Sequence, residues 1–303
     1  MILSGSIRRR LGRGVKSLLF ATGSAGCPIR PRVLAYHSVD DTGSILSVSP
    51  DQLRRHLALL REEGWRGLTA EAYLARLQGE RHPAREVLLT FDDGFENFYT
   101  LAAPVLAEYG YPATVFVVTD QVGETPQWFA RDPDRIHQLM AALPLTRAER
   151  AGWAVAGPEM ARMRLLNWEQ ARELVRSGFD VQCHSAAHHF LTGLAVEELR
   201  ADLRRSRETL GEHLGVAADL LCYPYGDCSD QVVSVAREVG FRAGFLAEYS
   251  GPSQDPFRLG RIGVNGAMRP FDLRFALSAA NDRQAALRRW ARGFSTRFAA
   301  AER

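Results

Sequence analysis

From residue 32 onward the chain alternates short, continuously apolar runs with longer amphipathic stretches. Val33–Tyr36 reads as a strand, Pro50–Glu63 as a helix with Leu53, Leu57 and Leu60 on one face, and Val87–Phe91 as a second strand. A helix over Asn97–Tyr109 is stopped by Gly110 and Pro112, and Ala113–Val118 reads as the next strand. Residues 120–165 mix Gly, Pro and Trp with short helical patterns, as expected of an insertion over one rim. Order returns with a helical face at Trp168, Ala171, Leu174 and Val175, then a strand over Phe179–Cys183. A long stripe runs Val196, Leu199, Leu203, Leu210 and Leu214. Strands over Asp219–Tyr223, Phe241–Leu246 and Leu259–Val264 complete the pattern, with a helix over Gln231–Val239 and a basic helical stretch over 270–300. Strands that are apolar on both faces belong to a parallel sheet covered by helices. About seven such units predict an α/β barrel, whose chemistry sits at the C-terminal strand ends.

Composition excludes more than it selects. The 303 residues are 46% apolar, enough for a sizeable core, and a net charge of +3 argues against a nucleic-acid binder. The four cysteines, Cys27, Cys183, Cys222 and Cys228, have no C-x-x-C spacing and read as free thiols of a reducing compartment. Arg8, Arg9, Arg10, Arg13 and Lys16 precede an apolar stretch too short for a secretory signal or a membrane span. Two readings of this segment stay open: a basic lead-in resting on an anionic membrane face, and a frayed tail.

Three strand ends carry reactive side chains. One strand runs into Thr90-Phe91-Asp92-Asp93-Gly94, a second into His184-Ser185-Ala186-Ala187-His188-His189, and a third into Pro224-Tyr225-Gly226. His184 and His188, four apart, share one face of a helical turn. Two imidazoles and one carboxylate make a common hydrolytic metal site. Adjacent carboxylates at a strand end point in different directions, so one can bind a metal while its neighbour acts as a base. Each motif alone is also a plain turn. Together, at successive strand ends, they point to one site.

Thr-Phe-Asp-Asp-Gly, His-Ser-x-x-His and Tyr-Pro-Tyr-Gly, in this order, resemble the first three motifs of the polysaccharide deacetylase (NodB-homology, carbohydrate esterase family 4) domain. Tyr36-His37-Ser38-Val39, Asn167-Trp168-Glu169-Gln170 and Arg261-Ile262-Gly263-Val264 are similar to elements of its poly-N-acetylglucosamine deacetylase branch. The resemblance implies a distorted (β/α)7 barrel with one divalent metal, most often zinc. Residue by residue it implies Asp93, His184 and His188 as metal ligands, Asp92 as general base and the backbone N–H of Tyr225 as oxyanion donor. The chain then divides into a basic lead-in (1–31), the deacetylase domain (32–268) and a basic helical extension (269–303).

Two positions depart from the pattern. Cys222 stands where many members have an arginine that steadies the base, and Arg261 is the candidate substitute. No histidine follows His213, so the late histidine that serves as general acid is missing, and His37 and His189 are the candidates for that role. Trp128 and Phe129 are read either as sugar-stacking or as packing residues. Competing functions stay open: a catalytically silent glycan-binding protein, or a hydrolase of another sugar amide such as a deformylase. The expected partner is an acetylated glycan, exopolysaccharide or lipid-linked. The expected location is cytoplasmic, at the inner membrane face with Arg288, Arg289, Arg292 and Arg297 assisting, and export stays open.

Overall fold

The computed structural model describes residues 28–288 apart from 29, 45, 80–84, 132–133 and 135–161. The basic lead-in, Cys27, His82, His137, most of the rim insertion, and Arg289, Arg292 and Arg297 lie outside the described residues.

The chain runs β1 (Arg32–Tyr36), β2 (Ser38–Val39), β3 (Ser47–Val48), α1 (Pro50–Glu62), β4 (Arg66–Gly67), α2 (Ala70–Gln78) and β5 (Glu86–Phe91). A π-helical turn (Phe98–Ala102), α3 (Ala103–Tyr109), β6 (Thr114–Val117) and α4 (Trp128–Arg131) follow. After the rim insertion come α5 (Trp168–Arg176), β7 (Asp180–Cys183), α6 (Val196–Leu214), β8 (Leu220–Cys222), α7 (Asp230–Val239), β9 (Ala243–Phe245), β10 (Ile262–Gly263) and α8 (Pro270–Leu277). The strands pair in parallel in the order β10-β1-β5-β6-β7-β8-β9, with β4 added beside β5. Leu259 bridges Phe245 of β9 only three residues before Ile262 pairs with Leu34 of β1. One stretch, 259–263, therefore closes the ring, and the seven-stranded barrel expected from the resemblance is what the chain forms.

Local signals place the helices. Ser49, Thr69 and Ser229 each accept the amide three residues on, and Asn167 with Gln170 forms a reciprocal capping box. Gly110, Gly215 and Gly240 end their helices in the left-handed region. The single helix expected over Asn97–Tyr109 is instead a π turn leading into α3. Pro104 has no amide to offer the Thr100 carbonyl, and the Ala103 amide reaches back to Phe98.

Strand periodicity sorts side chains into two layers. Leu34, Tyr36, Leu89, Phe91, Val115, Val117, Val181, Cys183, Leu221 and Tyr223 pack outward against the helices. Val33, Leu88, Phe116, Leu220, Cys222, Phe245 and Leu259 fill the barrel interior. The same inward parity continues upward to Asp92, His184 and Arg261, which puts these polar side chains over the apolar plug. At the other end Arg32, buried at the start of β1, donates to the carbonyls of Leu277 (2.9 Å) and Ser278 (2.6 Å) and pairs with Asp282. That ties the segment after α8 to the barrel floor. Cys183, Cys222 and Cys228 are free thiols.

Gly244 in β9 lies against the Tyr223 ring, so that a Cβ there would sit 2.6 Å from Cζ. Gly244→Ala is expected to lower unfolding free energy by about 1–3 kcal/mol in urea titration, the usual cost of overpacking.

Candidate active site

Asp92 is 3% exposed and Arg261 2%, and they form a two-pronged ion pair. Arg261 Nη1 donates to Asp92 Oδ1 at 2.7 Å and Nη2 to Oδ2 at 2.6 Å. Its remaining donors reach Leu246 O (3.0 Å), Thr90 Oγ1 (3.1 Å) and the Cys222 sulfur (3.1 Å), so the guanidinium is satisfied without water. Burial alone would raise the Asp92 carboxyl, but the guanidinium outweighs it and holds the group down to about 2. Arg261, the candidate substitute for the missing arginine, is therefore the residue paired with Asp92. The small Cys222 side chain leaves the space it occupies.

Asp93 has the opposite strand parity, and a left-handed backbone (φ 70) swings it back into the mouth. Gly94 follows at φ 73, packed so tightly on Val117 that a Cβ would lie 2.9 Å from Cγ1. Asp93 Oδ1 is 3.4 Å from His184 Nε2 and 3.3 Å from His188 Nε2. These gaps are too long for good N–H···O bonds. A tetrahedral cation with ligand distances of about 2.0–2.1 Å separates its ligands by about 3.3–3.4 Å, so the two Asp93–histidine spacings suit a shared metal better than direct hydrogen bonds. His184 is pre-oriented, because its Nδ1 lies 2.8 Å from the Cys222 carbonyl and leaves Nε2 as the free donor.

The electrostatics agree with a cation site. Burial lowers His188 to about 4, so it is an uncharged donor at neutral pH. Burial works against a charged His184 too, but Cys222, Asp93 and Asp92 overcome it and raise this group well above the ordinary histidine value. Asp93 is held well below the usual carboxylate range, its own burial overridden by the two imidazoles. The pocket draws positive charge, which a divalent ion supplies on displacing a proton. Asp92, His184 and Cys222 also converge, but Arg261 already occupies the carboxylate and sulfur of that group.

The helical turn expected at His184–His188 does not exist. Ser185 (φ 62) and His188 (φ 56) are both left-handed, and the segment is a tight loop in which the Ser185 hydroxyl accepts the His188 amide at 2.9 Å. The two imidazoles converge through that loop, not through helical periodicity.

A family model for polysaccharide deacetylase matches residues 79–244, more than half of the chain. The chain belongs to the polysaccharide deacetylase family. It is 25% identical over 244 residues to YxkH of Bacillus subtilis, covering 80% of this chain and 74% of that one. It is 23% identical over 227 residues to the poly-beta-1,6-N-acetyl-D-glucosamine N-deacetylase of Staphylococcus aureus, covering 71% and 67%. Among solved structures it is similar to IcaB from Ammonifex degensii, with a TM-score of 0.65 and 25% identity over 83% of this chain and 98% of that one. The expected enzyme class, a carbohydrate deacetylase hydrolysing carbon–nitrogen bonds, stands with the family.

In this deacetylase the remaining site residues sort clearly. His37, 27% exposed, has Nε2 3.8 Å from Asp92 Oδ2. His189 lies at the edge, its Nδ1 3.2 Å from the Arg131 guanidinium. Tyr225 is left-handed (φ 60), with its ring stacked on Phe190 and edge-on to His188 at 4.6 Å. Trp128 is buried and packs within the protein, and Phe129 packs beside it. The sequence reading missed Asp202, whose carboxylate accepts the amides of Ala186 (3.0 Å) and Ala187 (3.2 Å) and so holds the histidine loop onto α6. Its signal was available: an acid on the same helix face as Leu199, Leu203 and Leu210.

Arg261→Met leaves Asp92 buried without its partner, and is expected to cost about 3–5 kcal/mol at neutral pH. The Asp92 pair stabilises only while the carboxylate is ionised. The deficit against the parent should therefore be full at neutral pH, shrink as pH falls through the raised native value of the unpartnered Asp92 carboxyl, and level off near about 2, where the parent's own carboxylate is protonated. Urea titrations from pH 7 to pH 2.5 read both.

Proposed function

We propose that this chain removes acetyl groups from an N-acetylglucosamine polymer, with zinc held by Asp93, His184 and His188. The observation that carries the reading is Asp93 Oδ1 at 3.3–3.4 Å from both imidazole Nε2 atoms, all three donors within 4.8 Å of one another, beside a second carboxylate kept ionised by Arg261. Bound zinc would polarise the acetyl carbonyl and acidify water. Asp92 is the base: its charge is fixed by Arg261, and it borders the triad without belonging to it. It takes a proton from the attacking water. The Tyr225 amide, at the end of β8 beside His188, donates to the oxygen that gains charge. His37 stands near enough to Asp92 to hand a proton to the departing amine. The Arg131 contact on His189 supports His37 over His189 for this role.

The silent-binder alternative loses ground here, since a binding scaffold gains nothing from a buried carboxylate with a dedicated arginine. The deformylase alternative shares every residue and differs only in the acyl pocket. A polymer is favoured over a lipid-linked sugar by the course of the chain. The segment over 279–288, with Arg288, starts at the barrel floor, where Arg32 holds Leu277 and Ser278. Docking an anionic membrane through it would turn the rim away from the lipid. Among the described residues no helix is long and apolar enough to cross a membrane.

Acetate release from poly-β-1,6-N-acetylglucosamine oligomers tests the reading. Parent enzyme should release acetate, stop with a chelator and recover with zinc. Asp92→Asn and His37→Ala should each lose about 10²–10⁴-fold in kcat while keeping zinc. Formate release from N-formyl oligomers without acetate release would move the assignment to a deformylase. Zinc binding with neither product would return it to a silent binder.

A further inference from the structure

The two proposed histidine ligands are held differently. His184 Nδ1 has the Cys222 carbonyl at 2.8 Å, the usual way a ligand imidazole is fixed. Among the described residues His188 Nδ1 is buried with no hydrogen-bond partner from another residue. Its backbone is also left-handed, so neither a hydrogen bond nor an ordinary loop conformation sets its ring plane. Packing does. The indole of Trp128, 2% exposed, lies flat on the His188 imidazole, centroids 4.4 Å apart and planes 21° apart. Tyr225 closes another side edge-on. Trp128 is itself anchored in a small apolar cluster with Phe95, Val118 and Leu165 under the rim. Three residues on, Arg131 donates to the Ala187 carbonyl at 2.6 Å, gripping the peptide just before the ligand.

We propose that α4 is a positioning clamp for His188, in which Trp128 fixes the plane of the imidazole and Arg131 fixes the loop that carries it. A stacked indole does for His188 what a carbonyl does for His184. It holds Nε2 toward Asp93 without spending a hydrogen bond. Trp128 is 2% exposed and Arg131 grips the loop backbone, so the effect is on metal affinity. The inference rests on His188 being a ligand.

Zinc affinity measured by competition with a chromophoric chelator tests it, alongside thermal melting of the metal-free protein. Trp128→Leu, which stays apolar and loses the flat ring, should weaken zinc about 10–100-fold, the range for groups that orient ligands. Trp128→Phe should restore most of the affinity. Arg131→Ala, a change at the surface, should weaken zinc without lowering the metal-free melting temperature. A folded Trp128→Leu protein with parent affinity overturns the clamp. If Trp128→Leu does not fold, parent affinity in Arg131→Ala overturns it instead. His188→Ala is the control: parent affinity there would sink the ligand reading itself.

Discussion

A carboxylate at the mouth of an apolar barrel stays charged only if something inside the barrel holds it so, and Arg261 does that for Asp92. The pair is dry, two-pronged and backed by Thr90, Leu246 and Cys222, so each charge is matched and each donor used. A buried ion pair adds little net stability against an apolar replacement, and its loss on one side is expensive. What it provides is a carboxylate of fixed charge and fixed position, as the proposed base requires. The closing stretch of the barrel is what delivers it: 259–263 joins β9 to β1, and Arg261 sits in its middle with inward parity. Ring closure and the charge on Asp92 depend on the same few residues.

The second constraint is backbone strain. Among the described residues the non-glycine positions with positive φ are Asp93, Ser185, His188 and Tyr225, and all lie at the three strand ends. Left-handed conformations cost L-residues of order 1–3 kcal/mol each. The surroundings repay this locally. Asp202 takes two loop amides, Ser185 takes the His188 amide, and Trp128 flattens against the imidazole. Strand parity alone would send Asp93 away from the mouth, and the strained turn brings it back.

Much of this was legible in sequence, because strand period and strand-end motifs are local signals. The barrel follows from alternating apolar runs, and the strand-end motifs mark one site, while the proposed ligands, base and substitute arginine come from the resemblance to the family. The histidine spacing misled, since a separation of four suits both a helical turn and a tight loop, and only the positive φ values at Ser185 and His188 choose the loop. The π turn at Phe98–Ala102 was hidden for a related reason: Pro104 was visible, but its effect on hydrogen-bond register was not. Asp202 left a trace, an acid on the buried face of α6, but Trp128 reaches His188 across about 60 residues of chain, and no local pattern reports such a contact.

The central claim is that Asp93, His184 and His188 hold a zinc ion while Asp92 stays with Arg261. Anomalous diffraction at the zinc edge, on crystals of the protein grown with zinc, tests it most directly. The account predicts one strong peak bonded to Asp93 Oδ1 and to Nε2 of both histidines, with the Arg261–Asp92 pair intact. A peak bonded to Asp92 and Cys222 instead, or no ordered peak in the barrel mouth, would contradict it.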